Sequence, residues 1–139
     1  MLRYFLKIFS LLLLVFSCEK QKPDPYANYD WCELKVRASA YNSLTSQTNG
    51  NPHITAFGDS LYPGLRYIAV SRDLYRLGLK HNTPVKIEGF DSIYLVKDRM
   101  HPRWKNHIDI YMGLDVKAAR EWGRKKVLIS YGVPILETD

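Results

Sequence analysis

Val96-Lys97-Asp98, then Arg99 to Asn106, then His107-Ile108-Asp109-Ile110-Tyr111-Met112-Gly113 is the stretch on which the reading of this chain turns. Two apolar, strand-like runs each carry one aspartate. The loop between them, Arg99-Met100-His101-Pro102-Arg103-Trp104-Lys105-Asn106, is basic and aromatic. A carboxylate inside a β-pattern works against local propensity. In the second run the isoleucines point one way, and His107, Asp109 and Tyr111 point the other. Asp98 ends the first run. An aspartate held in a partly apolar groove and kept protonated can act as an acid. If the two carboxylates approach closely, they cannot both ionise cheaply, and one pKa rises. The plain alternatives are an exposed Asp109 on a strand surface and an Asp98 paired with Arg99 or Lys97. Trp104 is read either as a platform for a sugar ring or as a hydrophobic anchor for its loop.

The pattern continues on both sides. Leu34, Val36, Ala38 and Ala40 alternate with Lys35, Arg37 and Ser39, which predicts a half-buried strand from Glu33 to Tyr41. Short strands are expected at His53–Phe57, Tyr67–Ser71, Pro84–Glu88, Ile93–Val96, His107–Met112 and Val127–Tyr131. Gly89-Phe90-Asp91-Ser92 reads as a hairpin turn. Arg72–Leu77 reads as a short helix stopped by Gly78. Asp115 to Trp122 reads as a second helix, capped by Asp115 and stopped by Gly123, with Val116, Ala119 and Trp122 facing inward. Six or seven short strands with two small helices predict an all-β barrel, not an alternating α/β sheet.

At 139 residues and 46% hydrophobic, the chain has the length and the apolar content for one cored domain. Its N-terminus reads differently. Arg3 and Lys7 precede the apolar run Ile8 to Phe16, and Ser17-Cys18 follows, which has the parts of a secretory signal. The run falls short of the about 20 apolar residues of a transmembrane helix. Val15-Phe16-Ser17-Cys18 resembles a bacterial lipobox, whose cysteine becomes the lipid-modified first residue. The expected organisation is a signal peptide over 1–17, a polar tether over 18–31 and the barrel over 32–139. Several acyl chains at Cys18 would anchor the protein stably in a membrane, leaving Cys32 as a lone thiol buried at the start of a strand. A Cys18–Cys32 disulfide is the alternative if Cys18 is not lipidated. The formal charge is +6, and +4 once Arg3 and Lys7 are removed. That balance suits an anionic cell-wall polymer or lipid surface. It is a poor match to nucleic acid, since no nucleic-acid motif is present. His101 and His107 have no metal-ligand spacing with a cysteine, so no metal is expected.

The ordered set Ala40-Tyr41, Ile54-Thr55-Ala56-Phe57-Gly58, Tyr67-Ile68-Ala69-Val70, Leu77-Gly78, Val85 to Phe90, Val96-Lys97-Asp98, Ile108-Asp109-Ile110-Tyr111 and Ala118 to Arg124 resembles the three-aspartate (3D) domain family. That family shares a double-psi β-barrel with membrane-bound lytic transglycosylase A and the stationary-phase survival proteins. The resemblance implies a six-stranded double-psi barrel over Val36 to Tyr131. It implies Asp109 as the catalytic acid/base and Asp98 as the second aspartate, which orients it or raises its pKa. The family's third aspartate commonly follows Ile-Ala-Val, where this chain has Ser71. Its glycine-rich segment is replaced by Arg99 to Asn106.

The activity so implied is lytic cleavage of the β-1,4 bond between N-acetylmuramic acid and N-acetylglucosamine, giving a 1,6-anhydro product without metal or organic cofactor. Tyr41, Thr55 and Trp104 are expected to contact sugar. The expected setting is a monomeric lipoprotein of the cell envelope, on the periplasmic side of the outer membrane, with peptidoglycan as partner. Two other readings remain: a non-catalytic peptidoglycan-binding module, and a hydrolase of another β-1,4-polysaccharide, which would normally need two carboxyl groups.

Overall fold

The computed structural model describes residues 22–44 and 53–136. The expectations for residues 1–17, for Cys18 and for the loop across 45–52 lie outside them. The elements are β1 (Tyr29–Tyr41), β2 (Tyr67–Val70), α1 (Arg72–Leu77), β3 (Pro84–Ile87), β4 (Ile93–Arg99), β5 (His107–Tyr111), α2 (Val116–Trp122) and β6 (Lys125–Pro134). The six strands close into a barrel in the order β1-β5-β2-β4-β3-β6.

This order has an internal two-fold. The first half, β1-β2-α1-β3, and the second, β4-β5-α2-β6, share one β-β-α-β sequence of elements. The parallel pair β1–β5 corresponds to the parallel pair β4–β2 when the halves are exchanged. Antiparallel β1–β6 corresponds to β4–β3. The remaining pairs, β2–β5 and β3–β6, map onto themselves. The connections interlock in the same reciprocal way. The loop after β1 donates the Ala56 N–H to Asp98 on β4, and the loop after β4 offers the Asn106 carbonyl to Arg37 on β1. The all-β barrel expected from the strand pattern is observed, and its six strands form the double-psi β-barrel that the family resemblance implied.

Alternation places the core. Val36 and Ala38, Ile68 and Val70, Val85 and Ile87, Tyr94 and Val96, Ile108 and Ile110, and Val127 and Ile129 point inward and are buried. Leu74 of α1 closes the barrel at one side. The second helix packs more loosely: Val116, Ala119 and Trp122 are only half-buried. Its Asp115 cap is real, accepting a hydrogen bond from the Ala118 N–H at 2.9 Å.

Three local expectations change. His53–Phe57 is not a strand; only an Ile54–Ser60 bridge forms. Thr55 Oγ1 accepts from the N–H groups of Phe57 and Asp59, curling the chain into a tight turn before a ladder can extend. The first strand begins at Tyr29, inside the stretch read as tether, because β6 is long enough to pair with it from Tyr29–Pro134 to Ala38–Lys125. Cys32 is exposed rather than buried. Only the Arg37–Tyr41 part of β1 is paired with β5; Val36 still reaches the core, while the start of the strand, where Cys32 lies, is paired with β6 alone.

Candidate functional site

The outer faces of β1, β5, β2 and β4 place Ser39, Asp109, Ala69 and Asp98 in one row, in that order. Asp109 and Asp98 are therefore two strands apart, with about 10 Å between their Cα atoms. Ala69 is the floor between them, and its methyl leaves the space open. An open cleft of about 250 Å³ lies over this row, lined by Tyr41, Ala69, Asp98, Arg99, Met100, His101, Trp104 and Asp109.

Asp98 reaches this face through a register shift. Ile68 pairs with Val96, but Ala69 pairs with Asp98, so Lys97 is an extra residue on β4. Simple alternation from the buried Val96 would turn Asp98 into the core. The bulge turns it outward instead, a common device beside functional sites. Lys97 then ion-pairs with Asp59 at 2.9 Å, and Asp59 also meets His81 at 2.6 Å. This pins the turn at 55–59 onto the bulge. Asp98 pairs with neither Lys97 nor the Arg99 side chain. Its Oδ1 accepts the N–H groups of Ala56 at 2.8 Å and Arg99 at 2.7 Å. Burial nevertheless holds its pKa above the usual carboxylate range.

Asp109 is the more perturbed acid, raised to about 6. Burial is the main cause. The Asp98 charge raises it as well but is the last of the causes, so of the two routes open to a protonated aspartate, an apolar groove and a close carboxylate pair, burial is the larger. A hydrogen bond from Ser39 and the charge of Arg124 oppose the rise. Ser39 Oγ donates to Asp109 Oδ1 at 2.9 Å and lies 2.8 Å from His107 Nε2. When Asp109 is ionised, Ser39 must accept from His107, which fixes a hydrogen on Nε2. The chain His107–Ser39–Asp109 is continuous. Burial, then Arg124 and Arg37, lower the His107 pKa. So the face carrying His107, Asp109 and Tyr111 is not a solvated strand surface. His107 and Tyr111 are buried, the latter by Ser43, whose hydroxyl lies 2.8 Å from the Tyr111 hydroxyl.

Tyr41 lines the cleft beside Asp109, its ring 5.3 Å from that of Tyr111. Its hydroxyl is buried with no hydrogen-bond partner among the described residues. Burial and the two aspartates push its pKa up, so it stays a neutral donor. Trp104 is half-buried and is both anchor and wall. Its ring lies 4.7 Å from His107, and the guanidinium of Arg124 sits 5.3 Å from its centroid. Thr55 is not in the cleft; its hydroxyl is occupied by the turn described above, so its expected contact with sugar is lost. Ser71 is fully buried and accepts the His107 N–H at 3.1 Å. It supports β5 and does not face the cleft.

Beyond Trp104 lies a second, basic pocket of about 270 Å³, lined by Arg37, Trp104, His107, Arg124, Lys125 and Lys126. Arg37 stands next to His107 on β5 and opposite Lys126 on β6. Sequence reasoning passed over this row, and it passed over Ser39 as a partner of Asp109. Only the strand order, which brings residues from positions 37 to 126 together, makes either visible. No group of three or more metal-ligating side chains occurs among the described residues.

No family model matches this chain, and no curated protein does. Among solved structures, the apo expansin of Clavibacter michiganensis is 21% identical with a TM-score of 0.46. An aspartate-to-asparagine mutant of that expansin, solved with cellohexaose, is 22% identical with a TM-score of 0.44. Each alignment covers 78% of this chain and 52% of the other, so this chain spans about half the length of those structures.

Proposed function

We propose that the barrel cleaves a β-1,4-linked glycan strand of the cell wall by a single-acid, lytic-transglycosylase route, with Asp109 as acid and then base. The observation that carries this is a cleft carboxyl with a pKa near 6, held by a hydroxyl–imidazole chain and roofed by aromatic rings. Protonated Asp109 donates its proton to the glycosidic oxygen between N-acetylmuramic acid and N-acetylglucosamine. The bond from that oxygen to C1 breaks, and the leaving sugar departs with a free hydroxyl. The C6 hydroxyl of the muramic residue bonds to C1, and its proton passes to the Asp109 carboxylate. The product carries a 1,6-anhydro ring, and the acid is regenerated.

Asp98 lies two strands away with one oxygen committed to two backbone N–H groups. It serves as a fixed acceptor for sugar hydroxyls rather than as a nucleophile. The unpartnered Tyr41 hydroxyl donates to the substrate, and Trp104 stacks on a sugar. Lipidation at Cys18 tethers the barrel to the periplasmic face of the outer membrane in this reading. Digestion of purified sacculi should release anhydro-muropeptides with wild type and none with Asp109→Asn, and the rate should fall as pH rises through about 6, where the acid form is lost. Cleavage by the variant at the wild-type rate would remove Asp109 from the chemistry.

A second reading is a glycan-binding module without catalysis. The cationic and aromatic wall around Trp104 favours it, because such a surface holds an anionic strand with no bond broken. Sedimentation with intact sacculi and no soluble product from wild type would select it.

A further inference from the structure

The row His107–Arg37–Lys126 across β5, β1 and β6 is an unusual thing to build. Like charges directly opposite in a ladder, as Arg37 and Lys126 are, destabilise it. Arg124 and Lys125 add two more cations at the same pocket. Among the described residues, none of the four Lys and Arg side chains pairs with a carboxylate; the ion pairs present are at Asp59 and Glu121. Arg124 rests on Trp104 and Lys125 on Trp122, its Nζ 3.5 Å from the ring centroid. Arg124 follows Gly123, whose φ of +65° ends α2 and turns the chain back to the barrel. Among the described residues, Arg37 and Lys126 make neither an ion pair nor a cation–π contact. The four cations are exposed to solvent, so their mutual repulsion is partly screened, and an anion bound among them would offset what remains.

The pocket also has a fixed place relative to the acid. His107 and Arg37 are each two residues before Asp109 and Ser39 on the same strands, about 7 Å along them. Trp104 lines both spaces. Resting on the glycan reading of the cleft, we propose that this pocket is a subsite for a carboxylate carried by a sugar of the same strand, bound by Arg37, Arg124 and Lys126 one unit from the reacting bond. The occupied pocket is sensed by His107, which is faced by Arg37 from β1, Lys125 and Lys126 from β6, Arg124 after α2, and Trp104 from its loop. On its other side it meets Ser39 and, through it, Asp109.

The test compares N-acetylmuramic acid, which carries a lactyl carboxylate, with N-acetylglucosamine, which does not, on the full chain. Binding is read by calorimetry and by the NMR titration of the His107 ring. The carboxylated sugar should bind at least tenfold tighter and raise the midpoint of the His107 titration. The double variant Arg37→Gln, Lys126→Gln should lose that tenfold preference while binding the neutral sugar as before. The variant relieves a repulsion, so it is expected to fold. Equal binding of the two sugars, an unchanged variant, or inorganic phosphate binding as tightly as the carboxylated sugar would each overturn the assignment. Asp109→Asn separates the two proposals: if it keeps the preference and wild type releases no anhydro sugar, the subsite stands and the cleavage reading fails. Cleavage without preference gives the reverse.

Discussion

Asp109 serves its proposed role at the expense of the fold, and the sign is checkable. Its pKa is about 6 in the folded chain against 3.8 unfolded. The folded state binds the proton more tightly, so stability from this group is present below about 4 and lost as pH rises to about 6. The shift corresponds to about 3 kcal/mol at neutral pH. Asp109→Asn keeps an acceptor for Ser39 and cannot ionise. Urea unfolding should therefore show the variant gaining on wild type between pH 4 and 6, with a gap of about 3 kcal/mol at pH 7 and none at pH 3.5. A constant gap across that range would mean Asp109 titrates normally. Ser39 acts in the opposite direction. Its hydrogen bond lowers the Asp109 pKa, so Ser39→Ala should move the descending, high-pH limb of the pH–rate profile, and the carboxyl NMR titration, above 6. A profile that stays in place would exclude Ser39 from the acid's environment.

At the scale of strands, the cleft is a gap in a wall. Ala69 sits between two acids on β2, where any larger side chain would project into the space. Ala69→Val suits a strand by propensity, yet its added methyls would fill the floor. The expected result is at least a tenfold loss of glycan cleavage, or of binding, with a melting temperature within a few degrees of wild type. Retained activity would show that substrate passes elsewhere. The same strands show what the sequence could and could not convey. Period-2 alternation in Val36–Ala40 and Ile108–Ile110 announced half-buried strands, and Asp115 and Gly123 announced the ends of α2. Asp109 was legible because its neighbours on both sides are apolar. The Lys97 bulge was not, since one extra residue leaves no mark in a run as short as Ile93–Arg99, and without it Asp98 would face the core. Thr55 misled for a similar reason: Ile54 to Phe57 has strand residues, but Thr55's own hydroxyl closes the turn. Cys32 misled because its burial was expected from its being a lone thiol, which says nothing of its place on the strand, and there β1 is paired with β6 alone.

The whole molecule is held by pairings that no half contains. Every ladder joins one of β1, β2 and β3 to one of β4, β5 and β6. Only β3 and β4 are neighbours in sequence; β1 must find β5 and β6 across most of the chain. Loop-closure entropy is therefore spent before most native contacts form, and folding is expected in the millisecond-to-second range of non-local β topologies. Each half has an apolar face on every strand and no partner to cover it. A chain cut in the Gly89–Ser92 turn should give two fragments that lack a β-sheet circular dichroism signal alone. Mixed at equal concentration, they should regain it, together with the His107–Ser39–Asp109 chain, whose members come from both halves. A fragment that folds by itself would mean that the two-fold in strand order is not a division of the folding unit. Reassembly with restored Asp109 titration near 6 would show that the acid is made by the closing of the barrel.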